Sequence, residues 1–379
     1  MKRREFIAKG ASACAASAAV GTTAALSGCS SIMPGRKWIT EAQKTPLDFT
    51  KKVPKPSGTM PVGEVGNTGI KVSKFGFGSH MTQELTKYTK EREWMVREAF
   101  DMGINLFDIY DYEFGIYQYE PMGKYLKPII NDVVLSVTTW PYDGRNVEQQ
   151  FERDLRVLGR DYIDFVRIHA WKNTEDEKEL ANQLGHKWDW WEKLFRLKEK
   201  GYIRAVGVPV HVKEDLELPL AELPLDFVIF PYNFYHNFTW SAKEPTKWSS
   251  TMTKLREKGI GIMTMKPFAS DNLVTPLRML AQELDETNEI KFTQACLGYI
   301  INSGMEIDTT LGGMYNPYHL YENIAAYYDP EFPEEERKLL KKIRNIARVA
   351  ASDLLPDHYK FLNDWVPDHW DDTDLFDIV

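Results

Sequence analysis

From about Met60 to Tyr327 the chain alternates short apolar runs with longer amphipathic stretches. Short apolar runs bounded by Gly, Pro, Asn or Asp read as strands. The expected strands are Phe75–Gly78, Asn105–Asp108, Val133–Thr138, Phe165–His169, Arg204–Val208, Phe227–Pro231, Gly261–Lys266 and Asp308–Leu311. Helical spacing fits Glu91–Met102, Val147–Leu158, Trp190–Lys200, Thr251–Lys258, Lys291–Asn302 and Pro317–Tyr327 between them. Strand and helix in alternation favour a parallel sheet, and eight such units predict a closed (β/α)8 TIM barrel. No internal repeat or low-complexity tract interrupts this order.

The ends read differently. Residues 1–29 carry Arg3-Arg4 before an apolar residue, then an Ala-rich run to Leu26 that is too short and too polar for a good membrane span. The run closes on Leu26-Ser27-Gly28-Cys29, which looks like a lipoprotein cleavage box with Cys29 as the lipidated residue. The expectation is a twin-arginine signal, export to the periplasm and a lipid anchor in a bacterial membrane. The alternative is that Cys29 is an ordinary small residue at a signal-peptidase site. The twin-arginine route moves folded proteins, so a nicotinamide cofactor would leave the cell tightly bound. Residues 30–57, rich in Pro, Gly and Ser, read as a linker. The barrel is expected over 58–330. Residues 331–379 read as a C-terminal extension with one charged helix, Glu334–Ala350, and an acidic, aromatic end.

Composition narrows the partners. The net charge of −8 argues against nucleic acid and leaves a small molecule as the expected ligand. Of three cysteines, Cys14 leaves with the signal and Cys29 is the lipidation candidate. Cys296 alone remains, so neither a disulfide framework nor a Cys-rich metal site is expected.

Several segments resemble the aldo-keto reductases in family order. Gly63-Glu64-Val65-Gly66-Asn67-Thr68-Gly69-Ile70-Lys71-Val72-Ser73 looks like their N-terminal β-hairpin. Gly103-Ile104-Asn105-Leu106-Phe107-Asp108 resembles their second barrel strand, and Lys200-Gly201-Tyr202-Ile203-Arg204 leads into their fifth. Met265-Lys266-Pro267-Phe268 and Gly313-Met314-Tyr315-Asn316-Pro317 resemble the seventh strand and the last loop. The resemblance implies hydride transfer between NADP and a carbonyl or alcohol, with a tyrosine as proton donor. It carries the catalytic aspartate to Asp108 and the histidine to His169. The tyrosine falls on Tyr112, or on Phe114 if one residue is inserted. Thr138 stands in place of the lysine. For the cofactor it implies Lys266, Gly313, Asn316, Glu322 and Asn323. Lys266 could equally be a solvent-facing strand-end lysine, and the Glu322–Asn323 pair ordinary helix surface. Pro209, Val210 and Ile229 replace the polar residues that hold the nicotinamide amide, and Tyr315 replaces a basic residue for the 2′-phosphate.

Arg167 lies two residues before His169 and therefore shares its strand face. A buried arginine there needs a carboxylate, and Asp108 has lost its lysine. The pair is either structural or an anion subsite. His80, Arg167 and His211 fall at strand ends around the expected substrate pocket. His80, Asp108, His169 and His211 together form a possible metal set, but no ligand spacing supports one, and no metal is assigned. Trp188, Trp190 and Trp191 either pack a helix on the barrel or close over a sugar-like ligand. Three functions stay open: an exported oxidoreductase with an eroded tetrad, a non-redox binding protein or pseudoenzyme, and a barrel with metal-assisted or hydrolytic chemistry.

Overall fold

The computed structural model describes residues 54–79, 87–110, 118–139, 147–168, 190–210, 216, 219–221, 223–233, 250–268, 292–335 and 337–338. A two-stranded antiparallel hairpin comes first, β1 (Val62–Glu64) against β2 (Lys71–Ser73). Eight parallel strands then close a barrel: β3 (Phe75–Gly78), β4 (Leu106–Tyr110), β5 (Val134–Thr139), β6 (Ile163–Ile168), β7 (Ile203–Pro209), β8 (Phe227–Pro231), β9 (Gly261–Met265) and β10 (Thr309–Gly313). Each pairs with its sequence neighbour, and β10 closes on β3. The helices are α1 (Thr89–Asp101), α2 (Tyr119–Leu126), α3 (Val147–Leu158), α4 (190–199), α5 (Ser250–Glu257), α6 (Phe292–Ile301) and α7 (Pro317–Tyr328).

Strand alternation sorts the apolar residues into two cores. Phe107, Ile109, Val166 and Val206 point outward and pack with the helices. Leu106, Phe165, Phe227, Met263 and Leu311 point inward, where Val65, Ile70 and Val72 of the hairpin join them. The hairpin is thus a plug at the N-terminal end of the barrel. Its turn needs Gly66, with φ +49°, because a Cβ there would collide with the backbone of Gly259 and Gly261.

The same end carries a repeated device. A short polar side chain at the start of alternate strands accepts a backbone N–H from the preceding barrel strand or, for Asn105, from the end of the hairpin that leads into it. Asn105 Oδ1 takes Ser73 N at 2.7 Å, and Asp164 Oδ2 takes Leu135 N at 3.0 Å. Asp226 Oδ2 takes Val206 N at 2.8 Å, and Asp308 Oδ2 takes Ile262 N at 2.7 Å. Arginine or lysine compensates each carboxylate: Arg204 on Asp164, Lys198 on Asp226, Arg256 on Asp308. These acids belong to the stability end of the barrel, which leaves the opposite end for chemistry.

The structure departs from the expected elements in instructive places. Helix α2 was absent from the periodic reading because Pro121 and Gly123 punctuate it. Pro121 sits in the first turn, where it has no intrahelical N–H to lose. Gly123 lies where a Cβ would meet the backbone of Val157 on α3, so the glycine permits close helix packing. Strand β4 runs two residues beyond Asp108, and β10 runs two beyond Leu311. Strand β9 stops one residue short of Lys266, whose φ of 57° takes the chain out of the sheet. Trp191 is buried in the outer core and Trp190 packs against it, so these two brace α4 rather than cover a ligand. Trp188, most of the 331–379 extension, the signal, Cys29 and the greater part of the linker lie outside the described residues.

Candidate active site

The C-terminal ends of the strands gather the candidate residues. Leu106 faces the inner core while Phe107 and Ile109 face the helices, so Asp108 and Tyr110 point into the barrel. By the same alternation Ser136 and Thr138 of β5 and Arg167 of β6 point inward. Arg167 Nη1 donates to Asp108 Oδ1 at 2.7 Å and Nη2 donates to Oδ2 at 2.9 Å. Nη1 also donates to Ser136 Oγ at 2.7 Å. Arg167 is 4% exposed and Asp108 8%, so this is a desolvated, bidentate ion pair. The guanidinium charge is compensated within the protein, which weighs against a free anion subsite. One rung further toward the mouth, the Thr138 hydroxyl is buried with no hydrogen-bond partner. Its own carbonyl accepts from Tyr119 Oη of α2, which fixes the end of β5.

Tyr112, Phe114, His80, His169 and His211 lie outside the described residues, so of the possible metal set only Asp108 is placed. The residues assigned to the cofactor are all described. Gly313 ends β10 exposed, and among the described residues the Tyr315 ring is what lies near the position of a Cβ. Asn316 caps α7, its Oδ1 accepting from His319 N at 2.9 Å. Glu322 Oε2 accepts from Thr293 Oγ1 of α6 at 2.9 Å and is thereby tied to packing. Asn323 is not helix surface. It is 1% exposed, and neither its amide nitrogen nor its amide oxygen has a partner.

Lys266 is the described non-glycine residue with a left-handed backbone, and Asn233 Nδ2 holds its carbonyl at 2.9 Å. It is half-buried rather than a solvent-facing lysine, and desolvation pushes its amine down to about 7. Across the mouth, Pro209 has no N–H, and Val210 N donates to Ile229 O at 3.0 Å. Ile229 itself lies in the inner apolar cluster. These three positions offer no side-chain hydrogen bond to an amide.

Arg92 escaped the sequence reading. It shares the buried face of α1 with Met95, Val96 and Ala99. Its Nη1 donates to Met314 O and its Nη2 to Ser79 O at 3.1 Å, while its guanidinium lies 4.8 Å from the Phe77 ring centre. Desolvation lowers it to about 10. The side chain clamps the loop before α7 to the end of β3. The signal was present: an arginine in an apolar helical stripe.

The profile of the aldo/keto reductase family matches residues 74–345. L-galactose dehydrogenase of Arabidopsis thaliana is 24% identical over 314 residues, covering 74% of this chain and 95% of the relative. D-galacturonate reductase of Hypocrea jecorina is 24% identical over 301 residues, covering 74% and 89%. In fold, the chain is similar to a Bacillus halodurans aldo-keto reductase solved in its holo form. That likeness has a TM-score of 0.56 at 19% identity and covers 75% of this chain and 96% of the other.

Proposed function

The chain belongs to the aldo/keto reductase family, and from that premise we propose that it is an exported oxidoreductase moving a hydride between a nicotinamide dinucleotide and a carbonyl or alcohol. One relative is named for L-galactose and another for D-galacturonate, so sugar-like carbonyls and alcohols are the substrate class to test first.

The observation that carries this reading is the Asn323 amide. A buried amide with neither donor nor acceptor satisfied is a net cost to the fold. An adenine edge offers one donor and one acceptor at amide spacing and relieves that cost once binding uncovers the amide, whose atoms are buried in the free protein. Gly313 lets a phosphate approach the backbone, and the capped start of α7 favours negative charge. Lys266 stands at the next strand end for the pyrophosphate. The adenosine end of a dinucleotide thus fits this chain. At the nicotinamide end Pro209 and Val210 supply packing rather than amide hydrogen bonds. When bound, the dinucleotide supplies the hydride.

In this reading the catalytic tetrad is eroded and partly rebuilt. Thr138 replaces the lysine, and the cation beside Asp108 is Arg167, supplied from β6 instead of β5. The pair is neutral overall and fixes a dipole under the reacting carbonyl. Tyr315 brings a phenol where a cation would favour NADP, so discrimination between NADPH and NADH is expected to be small.

Titration of the mature protein with NADPH and NADH tests this. Dissociation constants of about 1–100 µM are expected. Asn323→Leu should weaken binding about tenfold while leaving folding stability unchanged or higher, because the orphaned amide is gone. Affinity should also depend on pH. The Lys266 amine, at about 7 in the free protein, takes up a proton when an anion binds. Affinity therefore falls as pH rises above that value, by at most about tenfold per pH unit. Failure to bind either dinucleotide would remove the oxidoreductase reading and leave a binding protein on the same barrel.

We also propose export by the twin-arginine route and lipid anchoring at Cys29 in the periplasm, on the strength of the Arg3-Arg4 pair and the Leu26-Ser27-Gly28-Cys29 box. Cys29→Ala should move the protein from the membrane fraction to the soluble periplasm. Unchanged membrane association would refute the anchor.

A further inference from the structure

We propose that the proton donor of this enzyme is Tyr110, on β4 itself, rather than a tyrosine in the segment that follows the strand. The proposal rests on the oxidoreductase reading above. Strand β4 continues past Asp108 for two residues, and its alternation puts Tyr110 on the inner face with Asp108. Tyr110, Thr138 and Arg167 are register partners across β4, β5 and β6, so they form one rung of the barrel wall. Neighbouring strands lie about 4.8 Å apart, which places the three side chains within mutual reach around the same opening.

That rung lies one inward layer above Asp108 and Ser136, at the catalytic end of the barrel, and Arg167 reaches down from it to Asp108. Tyr110 is half-buried at the mouth, while Thr138 and Arg167 beside it are buried. The backbone of Tyr110 is held by the sheet and by Ser79: Tyr110 N donates to Ser79 Oγ at 3.3 Å, and Ser79 N donates to Asp108 O at 2.9 Å. A backbone held this way limits where the side chain can reach, as positioning an acid requires. Thr138 adds a buried hydroxyl with no hydrogen-bond partner on the same rung, available to the same oxygen.

The chemistry balances with these groups. In the reductive direction the carbonyl carbon accepts a hydride, and the π electron pair of the C=O bond moves onto oxygen. That oxygen takes the proton from Tyr110 Oη. The dinucleotide is left oxidised, and the tyrosinate regains its proton from water. The Asp108–Arg167 pair is neutral overall, and its guanidinium end, in the same rung, turns the positive side of the dipole toward the developing phenolate.

The test compares the mature wild-type protein with Tyr110→Phe and Tyr112→Phe, using NADPH and NADH with D-galacturonate, methylglyoxal and glyceraldehyde. Dinucleotide affinity is measured alongside turnover. Tyr110→Phe should lower kcat at least about 100-fold with dinucleotide affinity changed less than about threefold, and Tyr112→Phe should leave kcat within about threefold. Near-normal turnover by Tyr110→Phe, or loss of turnover only in Tyr112→Phe, overturns the assignment while the oxidoreductase reading stands. Dinucleotide binding by the wild type without reduction of any of the three carbonyls also counts against it. Absence of dinucleotide binding removes both. The Phe substitution retains the ring, and the matched affinity measurement shows whether the protein has folded.

Discussion

Arg167→Leu is expected to destabilise the protein by about 3–5 kcal/mol, the range for removing one partner of a buried ion pair. The reason is what stays behind. Asp108 would keep its carboxylate in a site 8% exposed after losing two hydrogen bonds of 2.7 and 2.9 Å. Ser136 Oγ would lose its donor as well. At about 2 °C per kcal/mol for a domain of this size, the thermal midpoint should drop by roughly 6–10 °C. Asp108→Leu should cost a similar amount, since it strands the guanidinium. The double variant should recover much of either loss, because replacing a whole buried pair by apolar groups is often near neutral. Urea unfolding of the four proteins gives the coupling energy directly. Additive effects would show that the pair does not act as a unit, and the rebuilt-tetrad reading would lose its physical basis.

Asp308→Ala should act at the other end of the barrel and by a different route. Its Oδ2 accepts from Ile262 N at 2.7 Å and from Gly66 N at 3.1 Å. Arg256 also approaches it, with contacts of 3.3 Å. Alanine leaves two backbone N–H groups without an acceptor, one of them buried, at about 1–3 kcal/mol each. A total loss of about 2–6 kcal/mol follows, at the lower end if water reaches the partly buried Gly66 amide, with Arg256 left to its weaker contact with Glu306. The loss should be local in character. Gly66 belongs to the hairpin plug, so its amide and that of Asn67 should exchange with solvent faster than amides in β5 or β6. Asp308→Asn keeps one carbonyl oxygen and should lose less. Uniformly faster exchange around the barrel would argue that the plug and the barrel open together.

The two ends differ in how far they could be read in advance. The acceptor side chains at the N-terminal end are written into the chain as Asn or Asp just before apolar runs, as in Asn105-Leu106-Phe107 and Asp226-Phe227-Val228. Their alternation around the barrel became visible only with the register. At the catalytic end, Asp108 and Arg167 could be paired on paper, because each strand face is fixed by a period of two. Tyr110 was equally available to that argument. The resemblance, however, puts the family's tyrosine beyond Asp108, in the residues that follow the strand.

The family resemblance supplied the hairpin. Sequence alone determined the eight strands, most of the helices and the shared strand face of Arg167 and His169. These follow from periodicity, which each segment carries without reference to the others. Tertiary structure alone decided which inward residues meet, because that depends on stagger between strands: Arg167 is the Cα partner of Thr138 yet bonds Asp108 two strands away. It also decided burial. Asn323 and Arg92 are polar residues on helices, and only the packing of α7 and α1 removed them from water. Desolvation is a property of what covers a group, and no local pattern along the chain encodes the cover.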